Sequence, residues 1–118
     1  MTTILIIDNS TDTTELFRCL FSNDYQIFEA VDGQQGIEQF KAHHPDIIIT
    51  ELAMPVLDGF NLVRRVRQLS EKVKIIACSS YFSFPLERGK MLKAGANICL
   101  TAPVDVVELE EAVFNFSN

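Results

Sequence analysis

The sequence predicts a doubly wound α/β domain, in which short parallel strands alternate with helices packed on both faces of one sheet. Three observations predict it. Five short apolar, β-rich runs recur along the chain, at residues 4–7, 25–31, 47–49, 73–78 and 98–100. The stretches between them carry apolar side chains at helical spacing. The strand runs are mostly continuous in Ile, Leu and Val rather than alternating, the pattern of strands buried on both faces. Right-handed crossovers between such strands then put helices on each side of the sheet.

The elements follow in order. Ile4 to Ile7 form the first strand, which stops at Asp8. Asp12 with Glu15 has capping-box spacing, and Leu16, Phe17, Leu20 and Phe21 continue as a helix. Asn23-Asp24 is a turn, and Tyr25 to Val31 is the least regular of the strands. Asp32-Gly33 breaks it. Ile37 and Phe40 mark a second helix that ends before Pro45, and Ile47 to Ile49 give a third strand closing at Glu51. Pro55 and Asp58-Gly59 make a loop. Leu62, Val63, Val66 and Leu69 line a clear amphipathic helix. Val73 to Cys78 is a fourth strand, followed by a weaker helix from Phe82 to Ala94 with Pro85 near its start and Gly95 at its stop. Ile98 to Leu100 is a short fifth strand. Asp105 with Glu108 caps a last helix lined by Val106, Leu109, Ala112, Val113 and Phe116.

Composition narrows the function classes. With 118 residues the chain is sized for one domain spanning 1–118, and an apolar fraction of 47% excludes a disordered tail. A domain of this length buries roughly two-thirds of its unfolded surface, so it needs no disulfide or metal staple. The longest uninterrupted apolar run is four residues, which excludes a membrane span. No basic and apolar leader opens the sequence, so a cytoplasmic location is expected. The net charge is −6 and the isoelectric point about 4.8, which disfavours nucleic acid as a partner. The one basic cluster, Arg64, Arg65 and Arg67, reads as a solvated helix face. Cys19, Cys78 and Cys99 lack metal or redox spacing and read as buried small hydrophobes. His43-His44 reads as a solvated loop before Pro45.

Ligands of open α/β sheets bind beyond the carboxyl ends of the strands. The residues at those ends are Asp8 and Asn9, Glu51, Ser79 and Ser80, and Thr101, Ala102 and Pro103. Acidic and polar groups distant in sequence thus converge on one rim. No glycine-rich loop follows the first strand, where Asn9-Ser10-Thr11 stands instead, so a small nucleotide or flavin binder is the weaker alternative.

Several segments carry a family resemblance: ILIIDN at 4–9, EAVDGQQG at 29–36, PDIIITELAMPVLDG at 45–59, IIACS at 75–79 and GANICLTAPVD at 95–105. Together they resemble the response-regulator receiver domain of two-component signalling, over essentially the whole chain. The resemblance implies a flavodoxin-like sheet in the order 2-1-3-4-5 and a cis peptide bond before Pro103. It implies a non-enzymatic module that takes a phosphoryl group from a kinase histidine onto an aspartate ending the third strand. Mg²⁺ held by acidic residues after the first strand, a Ser or Thr after the fourth, a Lys before the fifth-strand Pro and a rotating aromatic in the fifth strand complete the family's device.

The chain departs from that device at most positions. Glu51 stands at the phosphoacceptor position. The acidic pocket keeps Asp8 but has Asn9 as its second member. Ser79 retains the hydroxyl, while Ala102 replaces the Lys and Cys99 the aromatic among the switch positions. Any metal would fall to Asp8, Asn9 and Glu51, a set weakened for a hard divalent cation by the loss of one carboxylate. Losing the Lys removes a fixed cation from a reaction that depends on charge cancellation. Glu51, one methylene longer than Asp, projects toward the space a phosphoryl group would take. The expectation is a degenerate receiver that works by protein contact without phosphorylation; a receiver phosphorylated at an unusual site is the alternative.

For Glu51, a phosphate mimic and harmless drift in a dead site stand level, and Ser79 is either a strand-end hydroxyl or the group that reads Glu51 through a hydrogen bond. Two carboxylates about 5 Å apart repel by about 3 kcal/mol at an effective dielectric near 20, so Asp8 or Glu51 is expected to have a raised pKa. Phe82, Phe84, Phe114 and Phe116 either pack in the core or form an apolar patch on the fourth helix, fifth strand and fifth helix. The resemblance makes that face the docking site for a histidine kinase or other signalling protein, and for a homodimer.

Overall fold

The computed structural model describes residues 1–118. Strands and helices alternate throughout: β1 (Thr3–Ile7), α1 (Thr11–Phe21), β2 (Gln26–Ala30), α2 (Gly33–His43), β3 (Ile47–Glu51), α3 (Gly59–Leu69), β4 (Lys74–Ser79), α4 (Pro85–Ala94), β5 (Ile98–Thr101) and α5 (Val106–Phe116). All four strand pairings are parallel and the sheet order is β2-β1-β3-β4-β5, the expected doubly wound arrangement. No helix is long and apolar enough to cross a membrane.

Successive strand side chains point to opposite faces, so each strand feeds two cores. Leu5, Ile7, Ile48 and Ile75 meet α2, α3 and α4 through Ile37, Phe40, Leu62 and Met91. Ile4, Ile6, Ile47 and Ile76 meet α1 and α5 through Phe17, Phe21, Leu109 and Val113. Full burial of both sets is why these strands lack a polar–apolar alternation.

Side-chain oxygens start the helices. Asp32, Asp58 and Asp105 accept hydrogen bonds from backbone N–H groups in the first turns of α2, α3 and α5. The start of α1 differs from expectation: Ser10, not Asp12, is the N-cap, with its hydroxyl accepting from the Thr13 N–H at 3.3 Å. With Ser10 as the cap the third helical residue is Thr13, so Glu15 closes no capping box, and Asp12 falls in the first turn, where its charge suits the helix start.

The expected helix from Phe82 is two elements. A 3₁₀ turn, Ser80–Ser83, carries Phe82 into the core, and α4 begins only at Pro85, whose fixed φ suits a first helical position. Helix α4 buries only Met91 of its own residues. Two arginines make up for this thin apolar face. Arg88 Nη1 donates to the Cys99 carbonyl at 2.8 Å, Nη2 to Thr101 Oγ1 at 3.0 Å and Nε to the Phe82 carbonyl at 3.2 Å. Arg67 donates from α3 to the carbonyls of Gly95, Ser70 and Val73 and to Asn97 Oδ1. Gly95 ends α4 at φ 130°, and a Cβ there would fall 2.5 Å from Arg67 Cγ. Arg64 and Arg65 are exposed as expected, but Arg67 is a half-buried staple, and burial lowers its pKa.

Two further expectations change. Cys19 is exposed on α1, because the apolar face there is supplied by Phe17 and Phe21; Cys78 and Cys99 are buried. His43 is the last residue of α2 and stacks on Phe28 with ring centroids 3.9 Å apart, while His44 caps the helix in the left-handed region. The loop from β3 to α3 turns sharply at Val56. The Leu57 N–H donates to the Pro55 carbonyl at 2.8 Å across a Val56 φ of 71°, the signature of a strained γ-turn.

Candidate functional site

The carboxyl ends of β1, β3, β4 and β5 lie side by side, and the loops that leave them build one rim. Asp8 follows β1 directly. Its N–H donates to the Ala30 carbonyl of β2, and its carboxylate Oδ1 accepts from the Ser10 N–H at 2.8 Å, tying the strand end to the cap of α1. The residue is buried to 8% exposure. Burial raises its pKa, the Ser10 hydrogen bond lowers it, and the charge of Glu51 raises it further. The expected carboxylate repulsion is therefore present, but desolvation is the larger cause. Asn9 is exposed.

Glu51 is the last residue of β3 and is half-buried. Its side chain folds back onto its own loop, where Oε1 accepts from the Leu52 N–H at 3.0 Å and the Ala53 N–H at 3.2 Å. The loop is held close behind it: the Gly59 N–H donates to the Leu52 carbonyl at 2.8 Å, and a Cβ on Gly59 would lie 2.6 Å from the Glu51 carbonyl oxygen. The extra methylene thus lets the carboxylate reach backbone donors rather than leaving it projecting freely.

Ser79 ends β4 and has no exposed surface. Its hydroxyl accepts from the Tyr81 N–H at 3.3 Å and starts the 3₁₀ turn. Of the two readings of Ser79, the structure shows the strand-end hydroxyl: it starts the 3₁₀ turn and makes no hydrogen bond to Glu51, whose Oε1 turns onto its own loop. Ala102 follows β5, donating from its N–H to the Ser79 carbonyl at 3.1 Å, and the Ala102–Pro103 peptide is cis, as expected. Cys99 lies on the other side of the sheet, in the core against α2, α3 and α4. Burial pushes its thiol pKa up to about 11 despite the nearby Arg88.

Asp8 and Glu51 share a cleft of about 220 Å³ with Cys78, Ala102 and Pro103. Thr13, Leu16, Phe17, Val104 and Val106 complete its walls, and no Lys or Arg is among them. The two carboxylates thus face an otherwise largely apolar cavity. Burial, with the charges of Glu51 and Asp8, pushes the Cys78 thiol above its usual range. No three His, Cys, Asp or Glu side chains are grouped to hold a metal ion.

Of the sequence-selected positions, Asp8, Glu51 and Ala102 line this cleft; Asn9, Ser79 and Cys99 do not. The backbone donors of Leu52 and Ala53, and the guanidinium of Arg88, had no signal in the sequence. A donor N–H is common to all residues but Pro, and an arginine on a weakly apolar helix reads as solvated. The aromatics divide. Phe82 is core, Phe84 and Phe114 are exposed, and Phe116 is half-buried with the Lys74 ammonium 5.8 Å from its ring centroid.

Known proteins match this geometry and sequence together. The relative "Uncharacterized 14.6 kDa protein in sodA1 3′region" of Leptolyngbya boryana is 33% identical over 109 residues, covering 90% of this chain and 82% of its own length. A segment of the sensor histidine kinase TmoS of Ectopseudomonas mendocina is 33% identical and covers 95% of this chain, which spans only 12% of that kinase. The crystal structure of the N-terminal domain of an uncharacterised protein from Wolinella succinogenes superposes with a TM-score of 0.90 at 30% identity, covering 99% of this chain and 94% of that one. Residues 4–114 match the response regulator receiver domain, and with the fold and the rim in place the chain belongs to that family.

Proposed function

We propose that residues 1–118 form one receiver domain that signals in the cytoplasm by protein contact, without an acyl-phosphate and without catalysing a reaction of its own. One observation carries this reading: Glu51 Oε1 already accepts from the Leu52 and Ala53 N–H groups, so an anion fixed to the chain holds donors at the strand end. A phosphoryl group arriving there would meet two carboxylates and no cation, since the cleft has Ala102 where a Lys would neutralise charge. The pocket residues do not fit Mg²⁺ well. Asp8 Oδ1 is committed to the Ser10 N–H, Glu51 Oε1 is committed twice, and Asn9 is neutral. A hard cation prefers several carboxylate oxygens, so metal binding at this rim is weakened.

In this reading Glu51 stands at the phosphoacceptor position, Asp8 and Asn9 form the remnant of the acidic pocket, and Ser79, Cys99 and Ala102 occupy the former switch positions. Arg88 fixes β5 to α4 in one arrangement, which supports a constant output surface. That surface is α4, β5 and α5, where Phe84, Leu86, Val107 and Phe114 are exposed. An apolar patch of this kind suits a protein partner, a histidine kinase or another signalling protein, or a second copy of the chain.

Incubation of the protein with acetyl phosphate and Mg²⁺, followed by intact-mass measurement, tests the reading. The expected result is an unchanged mass. A gain of about 80 Da, the mass of one phosphoryl group, overturns it and favours phosphorylation at an unusual site.

A further inference from the structure

A second surface carries charge that the rim does not use. Helices α3 and α4 run along either side of an open groove of about 600 Å³. Arg64 lines one wall, and Lys90 and Lys93 line the other. The two lysines are three residues apart, so they project from the same side of α4. All three cations are exposed, and none lies within 4.0 Å of a carboxylate; the molecule's one ion pair is Arg18 with Glu29. Asp58, the one acid lining the groove, is turned to the positive start of α3, where its Oδ1 accepts from the Asn61 N–H at 2.9 Å and from Asn61 Nδ2 at 3.2 Å, and its single charge leaves the lining cationic against three basic side chains. Phe60, half-buried, gives the groove an apolar surface.

Three unpaired cations on facing walls are a local exception in a chain of net charge −6. Such clustering costs self-repulsion and is relieved by a bound anion. We infer that the α3–α4 groove docks a short acidic segment of a partner protein, with carboxylates on Arg64, Lys90 and Lys93 around an apolar side chain set against Phe60. The charge distribution selects this occupant over nucleic acid. A duplex or strand carries its charge over a long path and would run onto the acidic remainder of the surface, whereas a short peptide stays within the groove. This surface lies on the α2–α3–α4 side of the sheet, apart from the cleft of Asp8 and Glu51, and the inference holds whether or not Glu51 accepts a phosphoryl group.

The probe is a synthetic octapeptide of seven glutamates around one central phenylalanine, titrated into the full chain at 20 mM and 300 mM NaCl and followed by ¹⁵N amide shifts. The expected result is saturable shifts in α3 and α4, at least tenfold weaker binding at the higher salt, and at least tenfold weaker binding to the double variant Arg64→Glu, Lys93→Glu. A charge-matched control, Lys41→Glu with Lys72→Glu, neither of which lines the groove, is expected to bind within twofold of the parent. All four positions are exposed, and circular dichroism verifies that each variant is folded. Equal weakening by the two variants, shifts confined to other elements, or no binding at 20 mM salt overturns the inference. Tighter binding of an eight-nucleotide thymidine strand than of the peptide overturns it in favour of a nucleic-acid site.

Discussion

Arg88 on α4 donates from Nη1 to the Cys99 carbonyl of β5 at 2.8 Å, placing a guanidinium across the edge of the sheet where α4 has little apolar surface of its own. The same side chain reaches Thr101 Oγ1 and the Phe82 carbonyl, so a single residue joins α4, β5 and the 3₁₀ turn.

Replacing it separates those elements. Arg88→Ala is expected to lower unfolding free energy by about 2 kcal/mol, because half-buried acceptors lose a charged donor. Arg88→Lys is expected to recover less than half of this, since a single ammonium cannot span the three acceptors that the planar fork reaches. Urea denaturation measures both; full recovery by lysine would show that charge alone, not the fork, is what matters.

Val56 holds a γ-turn at φ 71°, a conformation costly for a β-branched residue. Val56 is strongly exposed, so truncation there removes little packing. Val56→Gly is expected to stabilise the protein by about 1 kcal/mol, the relief of strain exceeding the added freedom of the unfolded chain. A lower melting temperature for the glycine variant would refute the strain.

Gly59 allows the loop to close on the rim. A Cβ at that position meets the Glu51 carbonyl oxygen at 2.6 Å and Leu52 Cα at 2.8 Å, both backbone atoms that cannot swing aside. Gly59→Ala is therefore expected to cost about 2 kcal/mol, in the range of other overpacked sites. Amide shifts of Leu52 and Ala53, the two donors to Glu51, should move with it. Unchanged stability together with unmoved shifts would show that the loop yields freely.

Asp8 links pH to stability. Its pKa stands above the ordinary 3.8 in the folded state, through burial and then the charge of Glu51. The folded protein thus binds this proton more tightly than the unfolded chain does. The contribution of Asp8 is most favourable at or below pH 3.8 and declines as pH rises from there through the folded-state pKa. Asp8→Asn keeps an oxygen for the Ser10 N–H and removes the buried charge. It is expected to melt higher than the parent at pH 7, with the gap narrowing toward pH 4. A gap independent of pH would exclude Asp8 as its source.

The fold was legible because burial on both faces of the sheet leaves uninterrupted apolar runs such as residues 47–49 and 75–78, and because Asp105 announces the last helix; Asp32 and Asp58, read only as a break and a loop, turn out to cap theirs. Asp8, Glu51 and Ala102 line one cleft because they stand at the ends of neighbouring parallel strands. The contacts they make were not legible. Ser79 and Glu51 each bond to backbone N–H groups one or two residues ahead, and such local acceptors compete with the partner that a sequence pattern suggests. Arg67 reads in the sequence as solvated, and Arg88 carries no signal, for a related reason: both satisfy carbonyls at turns and strand edges, and a carbonyl's need for a donor leaves no trace in side-chain identity.

The three thiols differ sharply in accessibility. Cys78 and Cys99 are enclosed and have raised pKa values, whereas Cys19 stands open to solvent on α1. A maleimide dye or nitroxide offered near neutral pH would therefore attach at one place on the unaltered chain. Helix α1 packs against the sheet face opposite to α3 and α4. The protein thus carries a ready-made handle for fluorescence or spin-label measurements, on the side away from the groove such an instrument would be asked to watch.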